Sequence, residues 1–171
     1  EHIYHLAAIS FVSSSIKKPD LTFDINLYGT INLFEAIRSV DKEVRILFVG
    51  SGEEYGAVAP SAQPITESLP LRPLNPYSIS KASAELLAHS YYKGLGMKII
   101  RVRSFNHTGP RQAEDLVCSN FARQIAEIEK GNKEPVIYVG NLKAKRDFSD
   151  VRDIVRGYGL LMKKGIPGEV Y

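Results

Sequence analysis

Short apolar runs alternate with stretches of helical period along this chain, and that alternation limits its fold more than any other feature. "RILFVG" (45–50) reads as a buried strand, "MKIIRVRSF" (97–105) and "PVIYVG" (135–140) as further strands, and Ile3–Leu6 as a strand end. Residues 19 to about 40 put Phe23, Leu27, Ile31, Phe34 and Ile37 on one helical face, with Pro19 near the first turn. Tyr77 to about Lys93 predicts a second helix, and Phe121 to about Lys130, closed by Gly131, a third. Val151, Ile154, Val155, Tyr158 and Met162 fall at helical spacing in a fourth, with Ser149 or Asp150 as its cap. Strand and helix in alternation predict an α/β fold, a doubly wound parallel sheet with helices on both faces. Two stretches break the pattern: "AVAPSAQPITESLPLRPLNP", with five prolines, and "NHTGPRQAEDL". Loops of that length in a compact α/β domain usually carry function. The chain opens on "EHIYHLAA" and closes on "GEVY", both in mid-strand, so an internal piece of a longer protein is expected.

Composition narrows the function classes. Net charge is +3, from 22 Lys+Arg against 19 Asp+Glu, and the basic residues are scattered apart from "KAKR" at 143–146, which gives no case for nucleic acid. No apolar run approaches a membrane span, so no membrane partner is expected. One cysteine, Cys118, excludes an intrachain disulfide and suits a reducing cytoplasm. His2, His89 and Cys118 lack metal-ligand spacing, so no metal site is expected.

"GSGEEYG" (50–56) follows a strand and has the glycines of a dinucleotide loop. A phosphate loop needs bare backbone N–H groups and a helix N-terminus facing the anion. Here Glu53 and Glu54 would oppose a pyrophosphate, and Pro60 and Pro64 leave no room for a long helix. The turn lies instead at the carboxyl end of a buried parallel strand, where α/β sheets keep their ligands, and it presents Ser51 and Glu53. Downstream, "NPYSISK" sets Tyr77 and Lys81 four residues apart, on one helix face. A lysine beside a phenol stabilises the phenolate and lowers the tyrosine pKa, and a serine can hold the oxygen to which the proton moves. Serine, tyrosine and lysine together suit reversible hydride transfer at a carbonyl with a nicotinamide cofactor.

Six segments in order, "HLAA", "N-x-x-G-T-x-N" (Asn26, Gly29, Thr30, Asn32), "SGEEYG", "NPYSISK", "R-x-F-N-H-T-G-P" and "RDFSDVRD", resemble the extended short-chain dehydrogenase/reductases, the nucleotide-sugar epimerases, dehydratases and reductases. The resemblance spans essentially the whole chain and is nearest to the GDP-sugar branch, its 4-keto reductases and 4,6-dehydratases, through "SFNHTGPRQ", "FARQIAEIEKG" and "VGNLKAKRDFSDVRDIV". The family's Gly-rich first-strand loop has no counterpart here. The resemblance therefore implies that residues 1–109 form the C-terminal half of a Rossmann-like NAD(P)-binding domain carrying the catalytic Ser/Tyr/Lys, and that 110–171 form part of the nucleotide-sugar region. It implies NADP or NAD as cofactor, the choosing strand being absent, a GDP-sugar as substrate, and a homodimer when full length.

By resemblance, Tyr77 is the acid/base, Ser51 orients the sugar oxygen, and Lys81 holds the nicotinamide ribose while tuning Tyr77. Glu53 sits where the dehydratases carry the base for water loss, and the related reductases can also hold an acid there. Gly52 stands where some dehydratases place an acid or a hydroxyl, and it offers no proton, which favours reduction without elimination. Leu6, Ala7 and Ala8 would pack on the cofactor, Ser10 would reach cofactor or sugar, and Asn106 and His107 would contact ligand, His107 on the cofactor side. Arg146, and more weakly Arg111, would pair with the GDP pyrophosphate, since a guanidinium suits two-pronged phosphate contact. The implied reaction is reduction of the C4 keto group of GDP-4-dehydro-6-deoxy-D-mannose to GDP-D-rhamnose. A GDP-mannose 4,6-dehydratase, another nucleotide-sugar epimerase or dehydratase of the same family, and, in another class, a fold-sharing binding protein or inert fragment stay open.

Overall fold

The structure is a computed structural model that describes residues 1–40 and 43–171. Three strands, β1 (His2–His5), β2 (Arg45–Val49) and β3 (Lys98–Val102), pair in parallel in that order. The register sets His2 against Arg45 and Arg45 against Lys98. Helices α1 (Val12–Lys17), α2 (Pro19–Phe23) and α3 (Gly29–Ser39) fall between β1 and β2, and α4 (Pro76–Leu95) falls between β2 and β3. Each parallel neighbour therefore follows a helical crossover, as the alternation requires. The fold is α/β with parallel sheets.

Phe34 and Ile37 of α3, Ile46 and Phe48 of β2, Ala84 and Ala88 of α4, Ile99 of β3 and Val44 form the core. Burial of each large apolar side chain here contributes roughly 1.5–3 kcal/mol. The small residues at 84 and 88 let α4 approach the strands closely.

The chain divides into two compact units, residues 1–105 with 157–171, and residues 106–156. The second unit holds β4 (Asn106–Thr108), β5 (Phe148–Asp150), which pair in parallel, and α5 (Val117–Glu129). The last helix, α6 (Val151–Lys164), is capped by Asp150, whose Oδ1 accepts the Arg152 N–H at 2.8 Å.

Four expectations need correction. "PVIYVG" is not a strand; its main chain is held by Gln124 of α5, whose amide donates to the Tyr138 carbonyl and accepts the Tyr138 N–H at 3.0 and 2.8 Å. A side-chain amide has replaced a ladder partner there. The third helix begins at Val117 rather than Phe121. The tract 106–116 is not all loop, because Asn106–Thr108 pairs with β5. Finally, the 19–39 helix is not uniform: between α2 and α3 it widens into a π turn, Asp24–Tyr28. The Thr30 hydroxyl donates to the Asn26 carbonyl at 2.6 Å within that region, and π turns of this kind recur at functional sites.

Candidate active site

Ser51 lies just past the end of β2 and caps the short 3₁₀ turn Gly52–Tyr55. Its Oγ accepts the Glu53 N–H at 3.2 Å, and its own N–H donates to Glu54 Oε1 at 2.6 Å, a reciprocal capping box. Gly50 and Gly52 permit the turn. A Cβ on Gly50 would meet Glu54 Oε1 at 2.5 Å and the Val102 carbonyl at 2.8 Å. A Cβ on Gly52 would meet the Phe105 ring at 2.9 Å, so a side chain at 52 requires Phe105 to move.

Tyr77 stands in the first turn of α4, whose start is fixed twice. Asn75 caps it through Ser78. The buried Ser15 of α1 accepts the Tyr77 N–H at 3.1 Å. The Tyr77 phenol faces the Ser51 side chain, which favours its ionised form. Lys81, one turn on, is buried, with Nζ 4.9 Å from the centre of the Phe48 ring. Desolvation lowers its pKa to about 8, against the pull of Glu54.

The tyrosine expectation is corrected here. Burial raises the Tyr77 pKa, and the neighbouring Glu54, Glu53 and Tyr158 add to that, outweighing the opposite effect of the Ser51 side chain. The phenol carries its proton at neutral pH, the state of a group ready to donate.

Leu6, past the end of β1, is 60% exposed; Ala7 and Ser10 are exposed and Ala8 is half-buried. The segment is anchored by Asn26, whose side chain accepts the Ile9 N–H at 2.8 Å and donates to the Ile9 carbonyl and to Ser80 Oγ. His5 Nε2 meets Thr30 Oγ1 at 2.9 Å, and burial, then Lys81, lower the His5 pKa. Glu53 is exposed.

Ser51, Glu53, Tyr77, Lys81, Leu6–Ala8 and Ser10 thus belong to the first unit. Asn106, His107, Arg111 and Arg146 belong to the second. There, His107 and Arg111 border an open cleft of about 240 Å³ with Gln112 and Val151, and Arg111 holds a left-handed backbone at φ 69°. Arg146 is exposed and donates to the Lys145 carbonyl. Among the described residues, no cluster of three His, Cys, Asp or Glu could hold a metal, and no helix is long and apolar enough to cross a membrane.

Sequence reasoning assigned no part to Asn26, Ser15 or Glu54. Asn26 had a signal in its own motif. Glu54 had one in S-x-x-E, the capping-box pattern formed with Ser51.

The profile of the family described as GDP-mannose 4,6 dehydratase matches residues 1–171. GDP-6-deoxy-D-mannose reductase of Pseudomonas aeruginosa is 38% identical over 99% of the chain and 56% of its own length. GDP-mannose 4,6-dehydratase of Vibrio cholerae is 32% identical over 98% of the chain and 45% of its own length. The chain thus spans about half the length of these relatives. The structure of RMD from Pseudomonas aeruginosa complexed with NADPH superposes with a TM-score of 0.97 at 38% identity, over 99% of this chain and 59% of that one. That of DesIV, a dTDP-glucose 4,6-dehydratase from Streptomyces venezuelae with NAD and TYD bound, gives 0.85 at 31%, over 100% and 51%.

Proposed function

The chain belongs to the GDP-mannose 4,6-dehydratase family, and on that premise we propose that the full-length gene product is an NAD(P)-dependent nucleotide-sugar reductase. It reduces the C4 keto group of GDP-4-dehydro-6-deoxy-D-mannose and releases GDP-D-rhamnose. The observation that carries this reading is the Ser51 side chain facing the Tyr77 phenol, beside a Gly52 backed against Phe105. It combines an oxygen-holding hydroxyl and a proton-bearing phenol with no further acid at position 52.

Tyr77 Oη gives its proton to the sugar O4 as the carbonyl becomes an alcohol. Ser51 Oγ donates a hydrogen bond to the same oxygen and so holds the carbonyl toward Tyr77. Leu6, Ala7, Ala8, Ser10, Tyr77, Lys81 and His107 would hold the cofactor, for which the exposed apolar strip at Leu6–Ala7 and the dry Lys81 amine are a chemical fit. Bound there, the reduced nicotinamide supplies the hydride. In the second unit Asn106, Arg111 and Arg146 would contact the GDP-sugar, the two arginines at its pyrophosphate; in the first, Ser51 would hold the sugar oxygen. Exposed Leu21, Ile25 and Tyr28 before α3 and Leu86 on α4 support a homodimer built through those helices.

A 4,6-dehydratase is the second reading, favoured by one observation, the free-standing exposed carboxylate of Glu53 two residues beyond Ser51. The two readings separate by stoichiometry. With the keto sugar and NAD(P)H, the full-length protein is expected to consume one cofactor per sugar, followed by absorbance. Water loss from GDP-mannose with no net cofactor consumed would establish the dehydratase instead.

A further inference from the structure

Beneath Ser51 lies a buried charge cluster that the proposed reaction leaves unused. Glu54 has no exposed surface. Its Oε1 is committed to the Ser51 N–H, and its Oε2 is buried with no donor in reach. An ionised carboxylate in that position leaves a dry, unpaired oxygen, which is costly. The carboxyl facing it is Glu85 of α4, also without exposed surface. Glu85 already accepts from Arg101 Nη1 at 3.3 Å and from Arg103 Nε and Nη2 at 2.9 and 2.6 Å. Two carboxyl groups hydrogen-bond to each other only if one keeps a proton. Glu85 already carries the ion pairs to Arg101 and Arg103, so the place for the proton is Glu54. The other groups facing Glu54 are Lys81 and Tyr77 of α4 and Arg101 of β3.

We propose that Glu54 is kept as a neutral carboxylic acid and is the positioning residue of Ser51: Oε1 receives the Ser51 N–H, the proton on Oε2 is donated to Glu85, and the Ser51 hydroxyl is aimed at Tyr77 only while that proton is in place. The inference rests on the reading of Ser51 and Tyr77 given above. Burial first, then Glu85, raise the Glu54 pKa from 4.5 to about 8, with the Ser51 backbone and Lys81 opposing. The folded chain thus holds a proton that the unfolded chain releases above 4.5. The stabilisation is complete below that pH and is lost as pH rises through about 8. Above it, a second anion beside Glu85 loosens the Ser51 turn.

Infrared spectra of the full-length protein at neutral pH should show a protonated-carboxyl C=O band that Glu54→Gln removes. In steady-state kinetics, Glu54→Ala strips Ser51 and Glu85 of their partner and is expected to lower kcat on the order of tenfold with KM little changed. Glu54→Gln can still accept from Ser51 and donate to Glu85. It should recover most of that loss and abolish the fall in kcat near the titration at about 8. Should Glu54→Ala fail to fold, the glutamine variant carries the test alone. A band that survives in Glu54→Gln, or a fall in kcat that persists there and so belongs to Lys81, overturns the proposal. Wild-type protein with the band but no activity on the keto sugar would instead sink the reductase reading and leave the proton on Glu54.

Discussion

Replacing Tyr77 with phenylalanine in the full-length gene product is expected to lower kcat for keto-sugar reduction by roughly 10²–10⁴-fold, the usual contribution of a positioned general acid. The ring is kept, so the half-buried site stays filled, and the backbone contacts that seat it, Ser15 Oγ to the Tyr77 N–H and the Asn75 cap, are untouched. Melting temperature and KM should therefore change little while turnover collapses. That split separates loss of a proton donor from loss of structure. Ser51 should bind the sugar oxygen as before, because its N–H is fixed by Glu54 and not by the phenol. Because burial, and after it the neighbouring acidic groups, raise the Tyr77 pKa from its ordinary value of 10, the phenol stays protonated across the ordinary assay range. A Tyr77→Phe enzyme within tenfold of wild type would remove the phenol from its role.

The second large effect concerns stability. Glu85→Ala is expected to destabilise the chain by about 3–5 kcal/mol, read from urea unfolding with an unchanged m-value. The Glu85 side chain is 1% exposed, and its partners Arg101 and Arg103 are 10% and 8% exposed. Removing it leaves two buried guanidinium groups without their ion-pair partner, with only the more remote pull of Glu169 and Glu54 on Arg101. Arg101 would retain the Gly168 carbonyl, and Arg103 the Tyr55 hydroxyl and the Glu67 carbonyl; those dipoles satisfy donors without balancing charge. Burial pulls the Arg103 pKa down, but its hydrogen bonds to Glu85 and Tyr55 more than compensate, leaving it raised. Arg101 is lowered, chiefly by desolvation. The carboxylate is thus what makes both charges tolerable. Set against a typical net stability of 5–15 kcal/mol, the loss would bring the chain close to unfolding. A loss below about 1 kcal/mol, the value of an exposed ion pair, would mean that the cluster is solvated.

The strands of the main sheet were legible because "RILFV" and "KIIRV" are apolar and short, and a parallel sheet buries both their faces. "PVIYVG" has the same composition, but whether such a run pairs depends on a neighbouring strand, which no local pattern reports. β4 and β5 were invisible for the opposite reason: "NHT" and "FSD" are short and polar, and pairing alone defines them. The Ser, Tyr and Lys of the site were legible from spacing within single elements. Glu54 was misplaced in a charged, phosphate-repelling loop because its burial depends on Glu85, Arg101 and Arg103, which come from other elements. The alternation of Arg101 and Arg103 in an otherwise apolar strand was the one local sign that this strand has charged groups to bury.

The central claim, that Ser51 and Tyr77 serve a net carbonyl reduction, is tested most directly by product mass with NADPH deuterated at the transferring position. The full-length protein, given GDP-4-dehydro-6-deoxy-D-mannose, is expected to yield an alcohol whose C4 carries the deuterium. A product formed without label, or loss of water from GDP-mannose with the cofactor returned unchanged, would contradict it.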